Sequence, residues 1–325
     1  MSGPSWSGRG NMSVLTGEGG GATPAGQAAG NLRGAAIMTF SMTVYTCNDA
    51  TMKFVMAELP FYQSITIRSG LACAILLLVM TLGRTGGYRR ALVRIGRRDA
   101  LLIGLRMLAE AGSTVLFLTA LTRMALGDVS AIAQTTPLFV VLAAALFLGE
   151  RVGWRRLLAV GIGVLGMLLI IRPGTPRFDV AALMVLGAVL LIVLRDIVTR
   201  MMSGALPPVL TALSAALSVT VCAAVLSILQ GWQMPDMQQA GLLAMAGVLV
   251  SLGYLSAIMT VRAGDVSFSA PFRYVSLVVA VILGYVVFGE FPDLWTWIGA
   301  GLIVGAGLFV AWREVRLARG QRGLH

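Results

Sequence analysis

Residues 104–130 read GLRMLAEAGSTVLFLTALTRMALGDVS, and residues 241–267 align with them without a gap as GLLAMAGVLVSLGYLSAIMTVRAGDVS. Both segments are almost wholly apolar, and both end in Gly-Asp-Val-Ser. The likeness extends further, because Asp49, Lys53 and Leu59-Pro60 recur 147 residues later as Asp196, Arg200 and Leu206-Pro207. A duplicated apolar chain is typical of an integral membrane protein built from two structural repeats.

The composition predicts lipid as the solvent for most of this chain. It is 57% hydrophobic and 12% charged, with a mean hydropathy of +0.85, whereas soluble domains carry about 25% charged residues. The net charge of +11 is almost entirely arginine in short loops beside apolar segments, so it indicates membrane orientation and no nucleic-acid partner. The three cysteines are scattered through apolar segments, so we expect no metal site and no cofactor.

Ten apolar stretches are close to the length of about 20 residues that a membrane-spanning helix needs. They are predicted at 34–57, 61–83, 99–121, 129–148, 154–172, 180–202, 207–230, 239–261, 266–288 and 294–312. The fold class is therefore all-α and integral to a membrane. The third and fourth spans are predicted to be joined by a short connection of about seven residues around Gly127-Asp128.

Each repeat contains five spans, so the second repeat must enter the membrane from the opposite side. The charges of equivalent loops agree with this inversion. The loop after the second span holds six arginines within residues 84–98, whereas the loop after the seventh holds Asp236 and no base. The loop after the fourth holds Arg151, Arg155 and Arg156, whereas that after the ninth holds Glu290 and Asp293. Basic loops favour the cytoplasm, which places both termini there.

Four segments follow from this pattern. Residues 1–31 are predicted to be a disordered cytoplasmic tail rich in Gly and Ser, and residues 314–325 a basic cytoplasmic tail. The two five-helix repeats are predicted at 32–173 and 178–313. We expect the protein in the bacterial inner membrane, surrounded by lipid.

Small residues recur within two spans. Residues 161–166 fit the GxGxxG pattern, but they lie inside an apolar span with no strand before them, so close helix packing explains them better than dinucleotide binding. Gly301 and Gly305 form a similar pattern in the last span. A ten-span inverted repeat is complete without a partner, although the small-residue face of the last span allows a homodimer.

Arg106 and Glu110 are charged residues inside the third span, where a charge needs a structural or functional reason. Their i, i+4 spacing places them on one helix face, within reach of each other. Leu243 and Gly247 occupy the same positions in the second repeat, so the scaffold does not require the charges. One interpretation is a structural ion pair that joins the third span to a neighbour. The other is a substrate or proton site.

A second polar group repeats in both halves. Asn48, Asp49 and Lys53 in the first span are matched by Arg195, Asp196 and Arg200 in the sixth. Because both repeats keep the acid–base spacing, these pairs are interpreted as symmetric structural latches, with a gate as the alternative. Asn48 has no polar amide equivalent and is a candidate contact to a substrate.

Two spans are interrupted by proline and polar residues at corresponding positions. Gln134-Thr135-Thr136-Pro137 interrupts the fourth span, and Pro271-Phe272-Arg273-Tyr274 interrupts the ninth. Proline frees a backbone carbonyl, which a membrane helix tolerates only against protein or a wet cavity. Interrupted helices in both halves indicate a binding site, with Gln134, Arg273 and Tyr274 as candidates. Arg273 is suited to bind a carboxylate or phosphate, or to pair with Asp49 or Glu110.

These features together resemble the drug/metabolite transporter superfamily, specifically its EamA-type, ten-span members. The segments that carry the resemblance are 131–138, 149–156, 171–174, 195–196, 270–274 and 289–293, and it covers residues of about 32–313. It implies a secondary transporter with a central cavity that works by alternating access. Family members export amino acids and other metabolites, and some import cofactor-like solutes such as S-adenosylmethionine or riboflavin. No residue motif identifies the substrate.

The resemblance favours export of an amino acid or related metabolite, with import of a cofactor-like solute as the alternative. No Walker A motif is present, so ATP is not expected to drive transport directly. Protons are a candidate co-substrate, with Glu110 and Asp49 as protonation sites. An integral membrane enzyme is a remote alternative, because the span carboxylates are dispersed and His325 is the only histidine.

Overall fold

The computed structural model describes residues 24–82, 96–147, 153–175, 179–202, 208–263 and 269–322. Over these residues the regular structure is helical, which confirms the predicted all-α class. The helices are α1 (Pro24–Val55), α2 (Phe61–Leu82), α3 (Arg97–Leu121), α4 (Leu126–Ala133), α5 (Thr136–Phe147), α6 (Trp154–Ile171), α7 (Val180–Met201), α8 (Pro208–Gln230), α9 (Met237–Ala263), α10 (Val275–Phe288) and α11 (Leu294–Arg322). A 3₁₀ helix, Ala270–Tyr274, leads directly into α10.

Nine stretches within the described residues are long and apolar enough to span a membrane. α4 and α5 together form one of them, and the 3₁₀ helix with α10 forms another. These nine lie where nine of the ten spans were predicted. At the first predicted span the structure has α1, a helix of 32 residues whose Asn48, Asp49 and Lys53 make it more polar. The chain is an integral membrane protein.

Several boundaries differ from the predicted ones. α1 begins at Pro24, inside the predicted 1–31 tail, and α11 continues to Arg322, through most of the predicted 314–325 tail. Arg, Leu and Ala are good helix formers, so an arginine-rich helix can continue beyond the apolar region. Gly127 and Asp128 lie in the first turn of α4 rather than in a loop, which leaves four residues, 122–125, between α3 and α4.

The helices of the first half pack mainly on helices of the second half. α1 packs on α9, α3 on α7, α2 on α8, α6 on α11, and α4 on α10. This set of pairs is unchanged when each helix is exchanged for its equivalent in the other half. The core is therefore shared between the halves, and a cavity at its centre has walls from both.

Glycines bring α6 and α11 into backbone contact. A Cβ on Gly166 would lie 2.6 Å from the Gly299 carbonyl oxygen, and a Cβ on Gly299 would lie 2.5 Å from that of Gly166. Helix packing is therefore the role of Gly166, as predicted for residues 161–166. Gly301 and Gly305 have no atom of the described chain within 4 Å of an added Cβ, so the packed face of α11 carries Gly299 instead.

Candidate functional site

The centre of the molecule contains a cavity of about 570 Å³. Its walls come from α1, α3, α4, α5, α7, α9, α10 and the 3₁₀ helix, so both halves contribute. The charged residues among its described lining are Asp49, Arg195, Asp196 and Arg273. Apolar side chains such as Met42 and Phe117 form much of the remaining wall. The cavity therefore combines an apolar body with a few charged groups, which is the usual composition of a small-molecule site.

Glu110 is buried in α3, with its side chain 7% exposed, and is held by α7. Arg195 Nη1 donates to Glu110 Oε2 at 3.1 Å, and the Tyr254 hydroxyl lies 3.5 Å from Oε1. Glu110 was predicted within reach of Arg106. Arg106 instead donates to Thr199 Oγ1 at 3.1 Å and to the Thr211 carbonyl at 3.2 Å. Arg106 and Glu110 therefore both join α3 to other helices, because α7 and α8 offer better placed partners.

Arg195 is shared between two carboxylates. Besides its contact with Glu110, its Nε and Nη2 donate to Asp196 Oδ1 at 3.0 and 2.9 Å. Asp196 was predicted to form an i, i+4 latch with Arg200, but its carboxylate accepts from its sequence neighbour. Arg195 and Asp196 both line the central cavity, whereas Glu110 lies outside its described lining. The ion-paired cluster thus forms part of the cavity wall.

Asn48 and Asp49 lie together on α1, and they contact α2. Asn48 is buried, and its amide donates to Asp49 Oδ1 at 3.0 Å. Arg68 Nη1 of α2 donates to Asn48 Oδ1 at 3.4 Å, and Arg68 Nη2 donates to Ser69 Oγ at 3.3 Å. Asn48 therefore lies between a carboxylate and a guanidinium. Of these four residues, Asp49 lines the cavity.

Arg68 is the residue that the sequence interpretation missed. It is 6% exposed, and its Nε is buried with no hydrogen-bond partner among the described residues. The signal was present in the sequence, since Arg68 is the one residue that is charged at neutral pH within the apolar 61–82 stretch. It has no charged counterpart at the equivalent place in the other half, where the residue is Ala215, so the repeated residues do not indicate it.

Two aromatic side chains border the same region. The rings of Tyr45 and Tyr254 meet edge to face with centroids 6.1 Å apart. Gly253 makes room for this arrangement, because a Cβ there would lie 2.6 Å from the Tyr45 ring. Ser41 Oγ also donates to the Gly253 carbonyl at 3.3 Å. α1 and α9 thus approach closely where Tyr45 faces the cavity.

The two interrupted spans meet at the cavity. α4 ends at Ala133, and Gln134-Thr135 separates it from α5, whereas the 3₁₀ helix forms the start of the ninth span. Gln134 Nε2 donates to the Arg273 carbonyl at 3.2 Å and also to Ser276 Oγ. Thr135 and Thr136 donate to the carbonyls of residues 132 and 133 at 2.7 and 2.6 Å. These hydroxyls provide hydrogen-bond donors for carbonyls beside the break in the helix, because backbone polar groups within a membrane need partners inside the protein.

A second cavity of about 420 Å³ adjoins the first. Asp196 and Arg273 line both, and the second is also lined by Arg156, Arg200 and Tyr274. Tyr274 is buried, and its hydroxyl packs on Gly307 of α11, where a Cβ would overlap it. The second cavity lies near the start of α6 and the end of α7, at the end of the bundle where α1 begins and α11 finishes. We call this the termini end.

The opposite end of the bundle, which we call the sealed end, is closed by polar contacts. Lys53 Nζ lies 2.5 Å from Glu290 Oε1 and donates to the Met124 carbonyl at 2.7 Å. Glu290 Oε2 accepts from the Leu126 amide at 3.0 Å. Lys53 was predicted to pair with Asp49, but Glu290 and Met124 bind it at the next turn. The contact joins α1 to the start of α4 and the end of α10.

Further contacts close the sealed end. Gln63 Nε2 donates to the Gln233 carbonyl at 2.6 Å, and the Gln233 amide donates to Gln63 Oε1 at 2.9 Å. Arg172 ends α6 in a left-handed conformation (φ 51°) and donates to both oxygens of Asp293. This contact lowers the pKa of the Asp293 carboxyl to about 2. Asp293 also accepts from the Thr296 amide at 2.9 Å, so it caps the start of α11.

A model of the EamA-like transporter family matches this chain twice, over residues 32–172 and 179–312. The chain belongs to the EamA-like transporter family. A riboflavin transporter from Rhizobium johnstonii is 30% identical over 58% of this chain and 63% of its own length. An S-adenosylmethionine uptake transporter from Rickettsia prowazekii is 28% identical over 55% of this chain and 60% of its own. In both comparisons the match spans less than two thirds of the relative.

Two longer matches cover most of the chain. A pseudopaline exporter from Pseudomonas aeruginosa is 26% identical over 84% of this chain and 94% of its own length. A solved structure, described only as the crystal structure of a protein, superposes with a TM-score of 0.62 at 17% identity and covers 88% of this chain. At that identity it supports the fold alone. The named relatives are transporters of small solutes, and their names include both uptake and export.

Proposed function

We propose that this protein is a secondary transporter that moves a small organic solute across the bacterial inner membrane by alternating access. The observation that carries the proposal is a cavity between the two matched halves, closed at one end and continued by a second cavity toward the other. A carrier needs a site that faces one side of the membrane at a time, and a closed end opposite a cavity matches one state of that cycle.

The halves are proposed to be inverted repeats. The support is that helix pairs between the halves map onto one another when the halves are exchanged, as a two-fold axis in the membrane plane requires. Described bases such as Arg155, Arg313 and Arg316 lie at the termini end, whereas Glu58 and Asp236 lie at the sealed end, where Arg172 is a base paired with Asp293. By the preference of basic residues for the cytoplasm, the termini end is cytoplasmic and the sealed end faces outward.

Export of an amino acid or related metabolite is the proposed direction, and uptake of a cofactor-like solute is the alternative that the names of several relatives favour. Transport energy is proposed to come from the solute gradient or from protons. Asp49 lines the cavity, whereas Glu110 is bound to Arg195 behind it. Of the two candidate protonation sites, Asp49 is therefore better placed to meet both a proton and the solute.

The test is uptake into proteoliposomes that contain the purified protein, with labelled amino acids, S-adenosylmethionine and riboflavin. Each solute is measured with and without an imposed pH gradient, in wild type, Asp49→Asn, Glu110→Gln and the control Glu58→Gln, a change on the exposed surface. We expect one solute to move, and Asp49→Asn to abolish any drive by the pH gradient. Folded protein that moves no solute on the panel above empty liposomes would contradict the proposal.

A homodimer through the Gly301 and Gly305 face of α11 is proposed as an additional state, since those two positions have no close packing partner in the described chain. Mass measurement of the protein in detergent, compared with Gly301→Leu, tests it. A particle of one chain in both samples contradicts it.

A further inference from the structure

Among the charged residues that line the central cavity, one carboxylate and one guanidinium have no direct ion pair within the described part of the chain. Glu110 and Asp196 share Arg195, and Glu290 binds Lys53. Asp49 and Arg273 remain, and both line the central cavity. An unpaired charge in a low-dielectric cavity is costly unless something compensates it, so the charges that the protein leaves uncompensated indicate what the ligand supplies.

The Asp49 carboxylate accepts one hydrogen bond and makes no ion pair within the described residues. The bond comes from the Asn48 amide at 3.0 Å and reaches Oδ1 only. The nearest cation on the described helices, Arg68, reaches it through Asn48. Lys53, one turn along α1, is bound by Glu290 and Met124. The Asp49 carboxylate thus keeps acceptor capacity on the cavity side for a donor that is not part of the protein.

Arg273 shows the complementary arrangement. Its backbone carbonyl accepts from Gln134 and from Ser276, which fixes the 3₁₀ helix at the cavity. Its guanidinium makes no hydrogen bond or ion pair within the described part of the chain, although it carries five donors. Arg273 lies at the junction, because it lines both the central cavity and the second one.

The second cavity continues the space around Arg273 toward the termini end. Its described lining includes Arg273 and Asp196, which also line the central cavity, whereas Asp49 lines the central cavity alone. A solute that enters from the termini end would therefore meet Arg273 before it meets Asp49.

We propose that Asp49 and Arg273 form a two-point site for a dipolar solute, with a carboxylate or phosphate on Arg273 and an ammonium or other cationic donor at Asp49. The apolar body of the solute packs against Met42, Phe117 and Ile192. This assignment rests on the proposed transport function and adds the charge class of the substrate to it. An uncharged solute would leave Arg273 without a charged partner and Asp49 with Arg68 only through Asn48.

Three probes with the same apolar body and different charges test the assignment. They are phenylalanine, which carries both charges, its N-acetyl derivative, which carries only the anion, and its methyl ester, which carries only the cation. Binding to the purified full chain in detergent is measured by calorimetry. Each lost charge removes a charge-assisted contact, so the single-charge probes are expected to bind about 10- to 100-fold more weakly than phenylalanine.

The variants Arg273→Gln and Asp49→Asn give a sharper result than affinity alone. With Arg273→Gln, the methyl ester is expected to bind as tightly as phenylalanine, because the carboxylate no longer has a partner. With Asp49→Asn, the N-acetyl derivative is expected to do so. Glu58→Gln is the control that leaves all three affinities unchanged. Thermal unfolding of each variant separates loss of folding from loss of recognition.

The outcomes separate this inference from the proposed function. If wild type binds the three probes equally, or binds none of them, the two-point site is wrong. If both variants weaken the binding of all three probes by the same factor, Asp49 and Arg273 maintain the shape of the cavity and do not recognise the charged groups of the solute. That result would also overturn the two-point site. Solute flux in proteoliposomes is measured independently of these affinities. A protein that binds the three probes equally but still transports a solute would therefore contradict the two-point site and support the transport proposal.

Discussion

Neutralising Glu290 is expected to open the sealed end. Glu290 binds Lys53 on α1 at 2.5 Å and the Leu126 amide at the start of α4 at 3.0 Å, and it follows the end of α10. Lys53 is only 11% exposed, and its Nζ also lies 5.0 Å from the centre of the Phe288 ring. Glu290→Gln keeps the size of the side chain and one oxygen acceptor, but it removes the negative charge beside a nearly buried ammonium.

The size of the effect follows from the exposure of the pair. A hydrogen bond to a charged group contributes about 1.5–3 kcal/mol, and since the Glu290 side chain is 28% exposed, we expect about 1.5–2 kcal/mol. A change of about 1.4 kcal/mol alters an equilibrium tenfold. Glu290→Gln should therefore raise the ratio of molecules with an open sealed end by about 10- to 30-fold.

Thiol labelling in proteoliposomes measures this ratio. Ser130→Cys, in a background without the native cysteines, places a thiol on the α4 wall of the central cavity. A membrane-impermeant maleimide added from the sealed-end side should label it about 10 to 30 times faster when Glu290→Gln is present. The control is Glu58→Gln, the same change at an exposed residue that accepts from Gln239 at the same end. Equal labelling rates in the two variants would refute the assignment of Glu290 as a closing contact.

Two further predictions concern stability. Gly253→Ala should lower the melting temperature, because its Cβ would lie 2.6 Å from the Tyr45 ring and overpacking costs about 1–3 kcal/mol. Gly241 lies on the same helix, and a Cβ added there meets no atom of the described chain within 4 Å, so Gly241→Ala should not lower the melting temperature. Equal melting temperatures of the Gly253→Ala and Gly241→Ala variants would contradict the packing argument. The hydrogen bond from Arg172 lowers the pKa of Asp293 from 3.8 to about 2, so its stabilising contribution is present above pH 3.8 and is lost as the pH falls toward 2. Asp293→Asn should therefore lower the melting temperature at about pH 6 and have little effect at about pH 2, and a difference that does not change with pH would count against this.

The helices could be predicted because lipid imposes one rule on every span. Where water is absent, the backbone must bond to itself, so apolar length alone locates a helix. That rule becomes weaker where the chain leaves the apolar region. The ends of α1 and α11 were therefore misplaced, whereas α6 ends at Ile171, one residue from its predicted end at 172.

The sequence predicted which residues form the candidate site better than it predicted which of them contact each other. Proline and polar residues interrupt corresponding spans, which predicted Gln134 and Arg273 as site residues, and in the structure Gln134 donates to the Arg273 carbonyl. The pairings of Arg106 with Glu110 and of Asp49 with Lys53 were inferred from i, i+4 spacing within one helix. Such spacing shows which residues share a face, but it contains no information about the residues on neighbouring helices. The pairing of Glu110 with Arg195, 85 positions away in sequence, depends on the packing of α3 against α7.

The polarity of α1 has a consequence for the synthesis of the protein. α1 is not among the helices of the described chain that are apolar enough to span a membrane unaided, and it packs chiefly on α9. The ribosome completes α9 long after α1, so a nascent chain must hold Asn48, Asp49 and Lys53 for most of translation without the surfaces that later enclose them. Polar and charged side chains within a membrane-spanning segment disfavour its insertion into lipid. Stable insertion of the first helix is thus coupled to the arrival of the eighth span, and a chain that stops before α9 would leave its first helix unfit for lipid and exposed to quality-control proteases.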